Sequence, residues 1–79
     1  MKQKNLKQFY IKLLDKTEKI LEYSKDKISQ SVIEKAKNYI EDSKYFSKQD
    51  IQTAILALEY AYGLIEGALM QANFDPPIF

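Results

Sequence analysis

The chain has 79 residues with twelve basic and eleven acidic side chains, a formal charge of +1, and it contains no arginine, histidine, cysteine or tryptophan. These absences exclude disulfide bonds, zinc sites made of thiolate or imidazole ligands, and nucleophiles activated by a histidine. A chain of this length forms one domain, or part of one, with a modest core. Its hydrophobic content of 46% is too high for a chain that is disordered throughout.

The first helix is predicted over residues 5–24. Apolar and small side chains recur there at steps of three and four, the spacing that places residues on one face of an α-helix. That face comprises Leu6, Phe9, Tyr10, Leu13, Leu14, Thr17, Ile20, Leu21 and Ser24. Charged residues occupy the opposite face, so we expect an amphipathic helix.

The second helix is predicted over residues 30–46, after a polar break. Ser29 or Ser31 can cap its N-terminus, since a serine hydroxyl accepts from an unpaired backbone amide of the first turn. Its apolar stripe comprises Val32, Ile33, Ala36, Tyr39, Ile40, Ser43 and Phe46.

The third helix is predicted over residues 48–72. Ser47 offers a hydroxyl and Asp50 a carboxylate with the spacing of an N-terminal cap. Asn73 suits the left-handed residue that ends a helix, and Pro76 cannot continue one. The apolar stripe comprises Ile51, Ala54, Ile55, Leu58, Ala61, Tyr62, Ile65, Ala68, Leu69 and Ala72.

Three amphipathic helices joined by short polar links predict an all-α fold: an antiparallel three-helix bundle in up-down-up order. A short proline-containing C-terminal tail follows at residues 73–79. We expect Phe74 and Ile78 to fold back over the third helix; the alternative is an extended arm that inserts into a partner.

The third helix has an apolar arc of about 200° at about 100° per residue, wider than the arc of about 100–140° that two neighbouring helices cover. We therefore expect the tail, a second copy of the chain or another protein to cover the rest. The side left over carries Gln52, Leu56, Glu59, Gly63, Glu66 and Met70, with Gly67 beside it.

Two glycines lie within this helix, although a glycine there costs about 1 kcal/mol relative to alanine. Gly63 and Gly67 are four residues apart, so they share a face. Either they make room for Tyr39 or Phe46 of the same bundle, or they permit the close approach of another backbone.

Charge is divided unevenly along the chain. Residues 1–48 hold twelve lysines and seven acidic residues, a formal charge of +5, whereas residues 49–79 hold four acidic residues and no lysine. The first interpretation is internal complementarity, with an acidic helix against two basic ones. The second is a basic outer surface that meets an acidic partner.

Residues 50–68 resemble the signature helix of a small archaeal family, domain-of-unknown-function family 357. Leu64 stands where the family usually has tryptophan, Glu66 replaces aspartate, and the order of Gly67 and Ala68 is reversed. The resemblance implies a three-helix fold and an archaeal cytoplasmic protein, and it implies no activity. The matching residues are Asp50, Ala54, Ala57, Tyr60, Ala61 and Gly63.

Catalytic, metal-binding and cofactor-binding residues are not predicted, and we do not expect an enzyme. Glu59 and Glu66 lie two turns apart, about 10 Å, and could flank a small molecule. We interpret them as solvated acids on the outer side of the helix. The acidic row on the first helix alternates with lysines and is interpreted in the same way; it comprises Asp15, Glu18 and Glu22.

Two further classes are disfavoured. Nucleic-acid binding through the lysine-rich first two helices, with a basic cluster at Lys2, Lys4 and Lys7, conflicts with a pI of 7.9 and the lack of arginine. A membrane span over residues 54–72 would place Glu59 and Glu66 near its middle, at about 2.5–3.5 kcal/mol for each charge. No signal peptide is predicted, and we expect a cytoplasmic protein.

The sequence therefore predicts a non-catalytic protein–protein interaction or scaffold module. The expected partner is a second copy of the chain, forming a homodimer, or another protein. A small-molecule-binding bundle at Glu59 and Glu66 is the remaining alternative. The predicted contact surface comprises Leu56, Glu59, Tyr60, Gly63, Leu64, Glu66, Gly67, Phe74 and Phe79.

Overall fold

A computed structural model describes residues 3–79, with side chains from Asn5 onward. It contains α1 (Gln3–Ser24), α2 (Gln30–Phe46) and α3 (Ile51–Gln71), and the described residues form no strand. The longest helix has 22 residues, about 33 Å at about 1.5 Å per residue, in a molecule of 39 × 22 × 15 Å. Short links between helices of this length require antiparallel neighbours, so the predicted all-α three-helix fold is confirmed.

The third helix makes most of the interhelical contacts. It packs against both α1 and α2, which touch each other least. The buried side chains fall on the three predicted stripes, because burial follows the rotation of an amphipathic helix. The buried apolar residues are Tyr10, Ile20, Leu21, Ile33, Ala36, Ile40, Ala54, Ile55, Leu58, Ala61, Ile65 and Leu69.

A serine caps the second helix, as predicted. Ser29 has an extended backbone conformation, and its hydroxyl accepts a hydrogen bond from the amide of Val32. The preceding turn is closed by the carbonyl of Ser24, which accepts from the amides of Lys27 and Ile28. Of the two serines that could cap α2, Ser29 is therefore the one used.

The predicted start of the third helix at residue 48, with Ser47 as a capping residue, is wrong. Ser47 keeps a right-handed helical conformation and closes α2, since its amide donates to the carbonyl of Ser43 and its hydroxyl to that of Lys44. Asp50 caps α3, because its carboxylate accepts from both the amide and the hydroxyl of Thr53.

The third helix ends as the sequence indicates. Asn73 adopts a φ of 67°. Its amide donates to the carbonyl of Met70, and the amide of Phe74 donates to that of Leu69, the paired bonds of a Schellman motif. The helix itself ends at Gln71, and Ala72 is its C-terminal cap.

The end of the tail does not cover α3 as predicted. Ile78 is 98% exposed, so the expectation that it folds over the third helix is wrong. Phe79 packs instead against α1, where its ring meets the ring of Tyr23 edge-on at 6.4 Å between centroids. Residues 73–79 therefore turn towards the end of α1.

Asp50→Ala is expected to lower the melting temperature, because the amide and the hydroxyl of Thr53, in the first turn of α3, lose their acceptor. Asp50→Asn is the matched control, since asparagine also caps helices. The hydrogen bonds from Thr53 hold the pKa of Asp50 below its ordinary value. The stabilisation of the fold by the ionised Asp50 carboxylate is thus present above about pH 4 and is lost as the pH falls through the lowered pKa of Asp50.

Thermal unfolding followed by circular dichroism at neutral and acidic pH checks this expectation. The gap between the wild type and Asp50→Ala should narrow in acid. The melting temperature of Asp50→Asn should stay close to that of the wild type at neutral pH. An alanine variant as stable as the wild type at neutral pH would show that Asp50 does not hold the start of α3.

Ser24→Ala is expected to raise the free energy of unfolding by about 1 kcal/mol, since a buried hydroxyl without a partner carries an uncompensated desolvation cost. Ser24 is fully buried, and its Oγ has no hydrogen-bond partner among the residues whose side chains are described. Ser43→Ala is the matched control, because that buried hydroxyl donates to the carbonyl of Ile40 at 2.6 Å. Chemical denaturation measures the free energy of unfolding of both variants. An equal gain in the two variants would contradict the assignment of Ser24 as the hydroxyl without a partner.

Candidate interface on the third helix

One side of α3 is turned away from both neighbouring helices, and we call it the outer face. Among its large apolar side chains, Leu56 and Met70 are each 64% exposed and Tyr60 is 51% exposed. Glu66 is half-buried at the edge of the face towards α1, and Leu64 is half-buried on the side towards α2. The outer face comprises Gln52, Leu56, Glu59, Tyr60, Gly63, Gly67 and Met70.

The two neighbouring helices cover more of α3 than expected. On the side of α2, the ring of Tyr39 lies 4.5 Å from that of Tyr60 between centroids. On the side of α1, Nζ of Lys16 lies 5.4 Å from the ring centroid of Tyr62. Long side chains therefore extend the covered arc beyond the core stripe. The apolar side chains of α3 that stay more than half exposed are those of the outer face.

The two glycines lie on the outer face, and no internal neighbour explains them. A Cβ atom added at Gly63 or Gly67 would meet no atom of the described residues within 4 Å. The interpretation that they admit Tyr39 or Phe46 is wrong, because the ring of Tyr39 packs against that of Tyr60 at a tilt of 55°, and the ring of Phe46 meets that of Tyr45 at 5.3 Å. The space above both glycines is open.

The acids of α3 do not pair with the lysines of α1 and α2 whose side chains are described. Ion pairs among the described residues involve positions 15–44 only, and one of them joins α1 to α2. Internal charge complementarity of α3 with a basic pair of helices is therefore not carried by ion pairs. The pairs are Lys19–Asp15, Lys25–Glu22, Lys27–Asp26, Lys37–Glu34 and Lys44–Glu18.

The acidic row on α1 is a solvated, ion-paired surface, as predicted: Asp15, Glu18 and Glu22 each bind a lysine. The predicted basic cluster falls largely outside the described residues, which include only the exposed side chain of Lys7 from that cluster.

Glu59 and Glu66 do not face each other across a cleft in a way that marks a site. Glu59 is exposed, whereas Glu66 is half-buried beside Tyr62. Burial, with a smaller contribution from the charge of Glu66, raises the pKa of the Tyr62 hydroxyl above its ordinary value.

An apolar groove that sequence reasoning missed lies between the beginnings of α1 and α3. Its volume is about 600 Å³. Leu56 belongs to both the groove and the outer face, so the two surfaces are continuous. No motif marks the groove, because its apolar residues follow the same spacing as core residues. The lining residues are Asn5, Leu6, Phe9, Gln52, Ile55 and Leu56.

By length and composition alone, α3 also satisfies the criteria for a membrane-crossing helix. One third of its most apolar 18-residue window, 33%, is buried within the fold. The core helix of a water-exposed bundle passes the same test.

Comparison with known proteins gives a family and no activity. Residues 9–74 match the family described as "Protein of unknown function (DUF357)". No curated protein matches the chain, and no solved structure does. The match runs from the first turns of α1 to the end of α3 and includes the helix that carries the resemblance seen in the sequence. The chain therefore belongs to the DUF357 family.

Proposed function

We propose that this protein is a non-catalytic interaction module that associates with a second copy of itself through the outer face of α3. The observation that carries the proposal is the composition of that face. Leu56, Tyr60 and Met70 are each more than half exposed, and they flank two glycines above which the space is open.

Single exposed apolar residues are common on soluble proteins, whereas a continuous apolar stripe marks a contact surface. The glycines strengthen the argument. Each lowers helix stability by about 1 kcal/mol relative to alanine, and no packing inside the described chain requires a glycine there. Close approach of another helix backbone supplies a reason for both, as small residues four apart allow in helix pairs.

An antiparallel pairing fits this face best. With a two-fold axis between Gly63 and Gly67, each Gly63 lies opposite the Gly67 of the other copy. The same register sets Tyr60 opposite Met70. Small residues then oppose small ones and large residues oppose large ones, the self-complementarity that a two-fold interface requires.

The charges of the outer face favour the same orientation. A parallel pair would set each Glu59 opposite its own copy. The antiparallel register offsets the two Glu59 side chains by twelve residues, about 18 Å along the helix axis. This distance exceeds the screening length of about 8–10 Å. Glu59 then lies opposite the neutral amide of Gln71.

The observations give less support to the other candidates. Among the described side chains, five lysines are engaged with carboxylates, which reduces the cationic surface that a phosphate backbone needs. A small-molecule site at Glu59 and Glu66 is not supported by the groove, because neither acid lines it.

Light scattering on a sizing column over a range of protein concentrations tests the proposal. We expect the mass to rise from that of the 9.2 kDa chain to twice that value. Met70→Glu should keep the chain monomeric. Ile11→Glu is the matched control, since Ile11 is a comparably exposed apolar residue of α1 outside the outer face.

A chain that stays monomeric at every concentration would overturn self-association. A dimer that persists in Met70→Glu and is lost in Ile11→Glu would place the contact on α1 instead. Circular dichroism of each variant separates loss of association from loss of the fold.

A further inference from the structure

We infer that residues 73–79 of one copy dock into the apolar groove of the other, with Ile78 as the inserted side chain. This inference rests on the proposed antiparallel pairing of α3 and adds a second contact to it. The occupant of the groove is thus a segment of this chain, contributed by a second copy.

The tail has the properties of a groove ligand. Ile78 is 98% exposed, although the residue next to it is anchored, with the ring of Phe79 against that of Tyr23. Pro76 and Pro77 restrict the backbone to an extended conformation, which lowers the entropy lost on binding. Proline-containing extended segments dock into grooves that carry aromatic side chains, and Phe9 supplies one here.

The groove has the matching chemistry. Among the residues whose side chains the structure describes, four of the six that line the groove are apolar, and none is charged. The amides of Asn5 and Gln52 are suited to hydrogen-bond an extended backbone that has no partners of its own. A volume of about 600 Å³ lies within the range of about 300–1,000 Å³ that is typical of ligand pockets.

The tail of the same chain cannot reach this groove. Ile55 and Ala72 are seventeen residues apart on α3, about 26 Å along the helix. The segment from Phe74 to Ile78 spans at most about 14 Å when fully extended. Phe74 is also held at the end of α3, because its amide donates to the carbonyl of Leu69.

The tail of a second copy is within reach. In the proposed register, Phe74 of one copy lies opposite Leu56 of the other, at the edge of the groove. The two-fold axis is perpendicular to both α3 helices, so it keeps the two α1 helices on the same side of the pair. The tail lies against α1 and the groove lies between α1 and α3, so both are on that side.

Cysteine cross-linking between two singly substituted chains tests the inference, since the natural chain has no cysteine. Phe9→Cys mixed with Ile78→Cys should give a disulfide-linked dimer at a yield several times that of the control. The control mixes Ile11→Cys with Ile78→Cys, because Ile11 lies on a different face of α1. Gln52→Cys is a second groove position in case Phe9→Cys impairs folding.

A separate mixture of Tyr60→Cys with Met70→Cys, two exposed positions that lie opposite each other in the proposed register, tests the pairing of α3 alone. If this mixture links and the groove mixtures match the control, the pairing stands and tail docking is overturned. If only the groove mixtures link, the pairing through the outer face falls, and the tail docks into a second copy in a register other than the proposed one. If neither links, both are overturned.

Discussion

Leu58→Ala is expected to lower the free energy of unfolding by about 2–5 kcal/mol, the usual loss when a buried leucine is truncated. Leu58 has no exposed surface and lies on the side of α3 that packs against both other helices. The truncation leaves a cavity where the three helices meet. A small domain has a total stability of about 5–15 kcal/mol, so the variant should lose a large share of it.

Leu56→Ala is the matched control, because it removes the same atoms two positions away on the same helix. Leu56 is 64% exposed, and its truncation should change the free energy of unfolding by no more than about 0.5 kcal/mol. Urea denaturation at a concentration where the chain is monomeric measures both variants. Equal losses would contradict the assignment of the two leucines to opposite sides of α3.

The second large effect is expected from alanine at the two glycines of the outer face. Gly63→Ala and Gly67→Ala should each raise the stability of the monomer by about 1 kcal/mol, and the double variant by about 2 kcal/mol. A Cβ atom at either position meets nothing within 4 Å, and neither glycine has a positive φ. Alanine therefore fits without strain.

The same two variants should weaken self-association, because each added Cβ occupies the space into which the second backbone moves. Stability and association are thus expected to change in opposite directions. Chemical denaturation of the monomer gives the first quantity, and light scattering against concentration gives the second. A more stable chain that associates as strongly as the wild type would show that the glycines are not part of the contact.

Much of the fold can be predicted from the sequence, because three uninterrupted apolar stripes leave one arrangement. The ends of the helices are harder to predict. Ser47 and Asp50 are both residues that cap helices, and the spacing alone does not decide which one does so. Ser47 continues α2 because its hydroxyl can bond to the carbonyl of Lys44 behind it, which leaves the cap of α3 to Asp50.

The outer face can also be predicted from spacing, since exposure around one helix follows its rotation. Whether the glycines have neighbours depends on where the side chains of α2 point, and Tyr39 is drawn to Tyr60. The groove depends on how α1 and α3 lie against each other, which no local pattern contains. The position of Phe79 against Tyr23 has the same origin.

The unequal contacts among the helices have a consequence for the order of folding. α2 and α3 are consecutive and pack closely, whereas α1 reaches α3 only by closing a chain that includes all of α2. Contacts between distant segments form later, because the closure entropy must be overcome first. We therefore expect a hairpin of α2 and α3 to form first and α1 to dock last.

The groove between α1 and α3 does not exist until that docking is complete. A segment that fills it binds the finished fold alone and shifts the equilibrium towards it by mass action. A chain whose tail binds in the groove of a second copy would thereby hold α1 of that copy in place. Each copy would act as a folding ligand for the other.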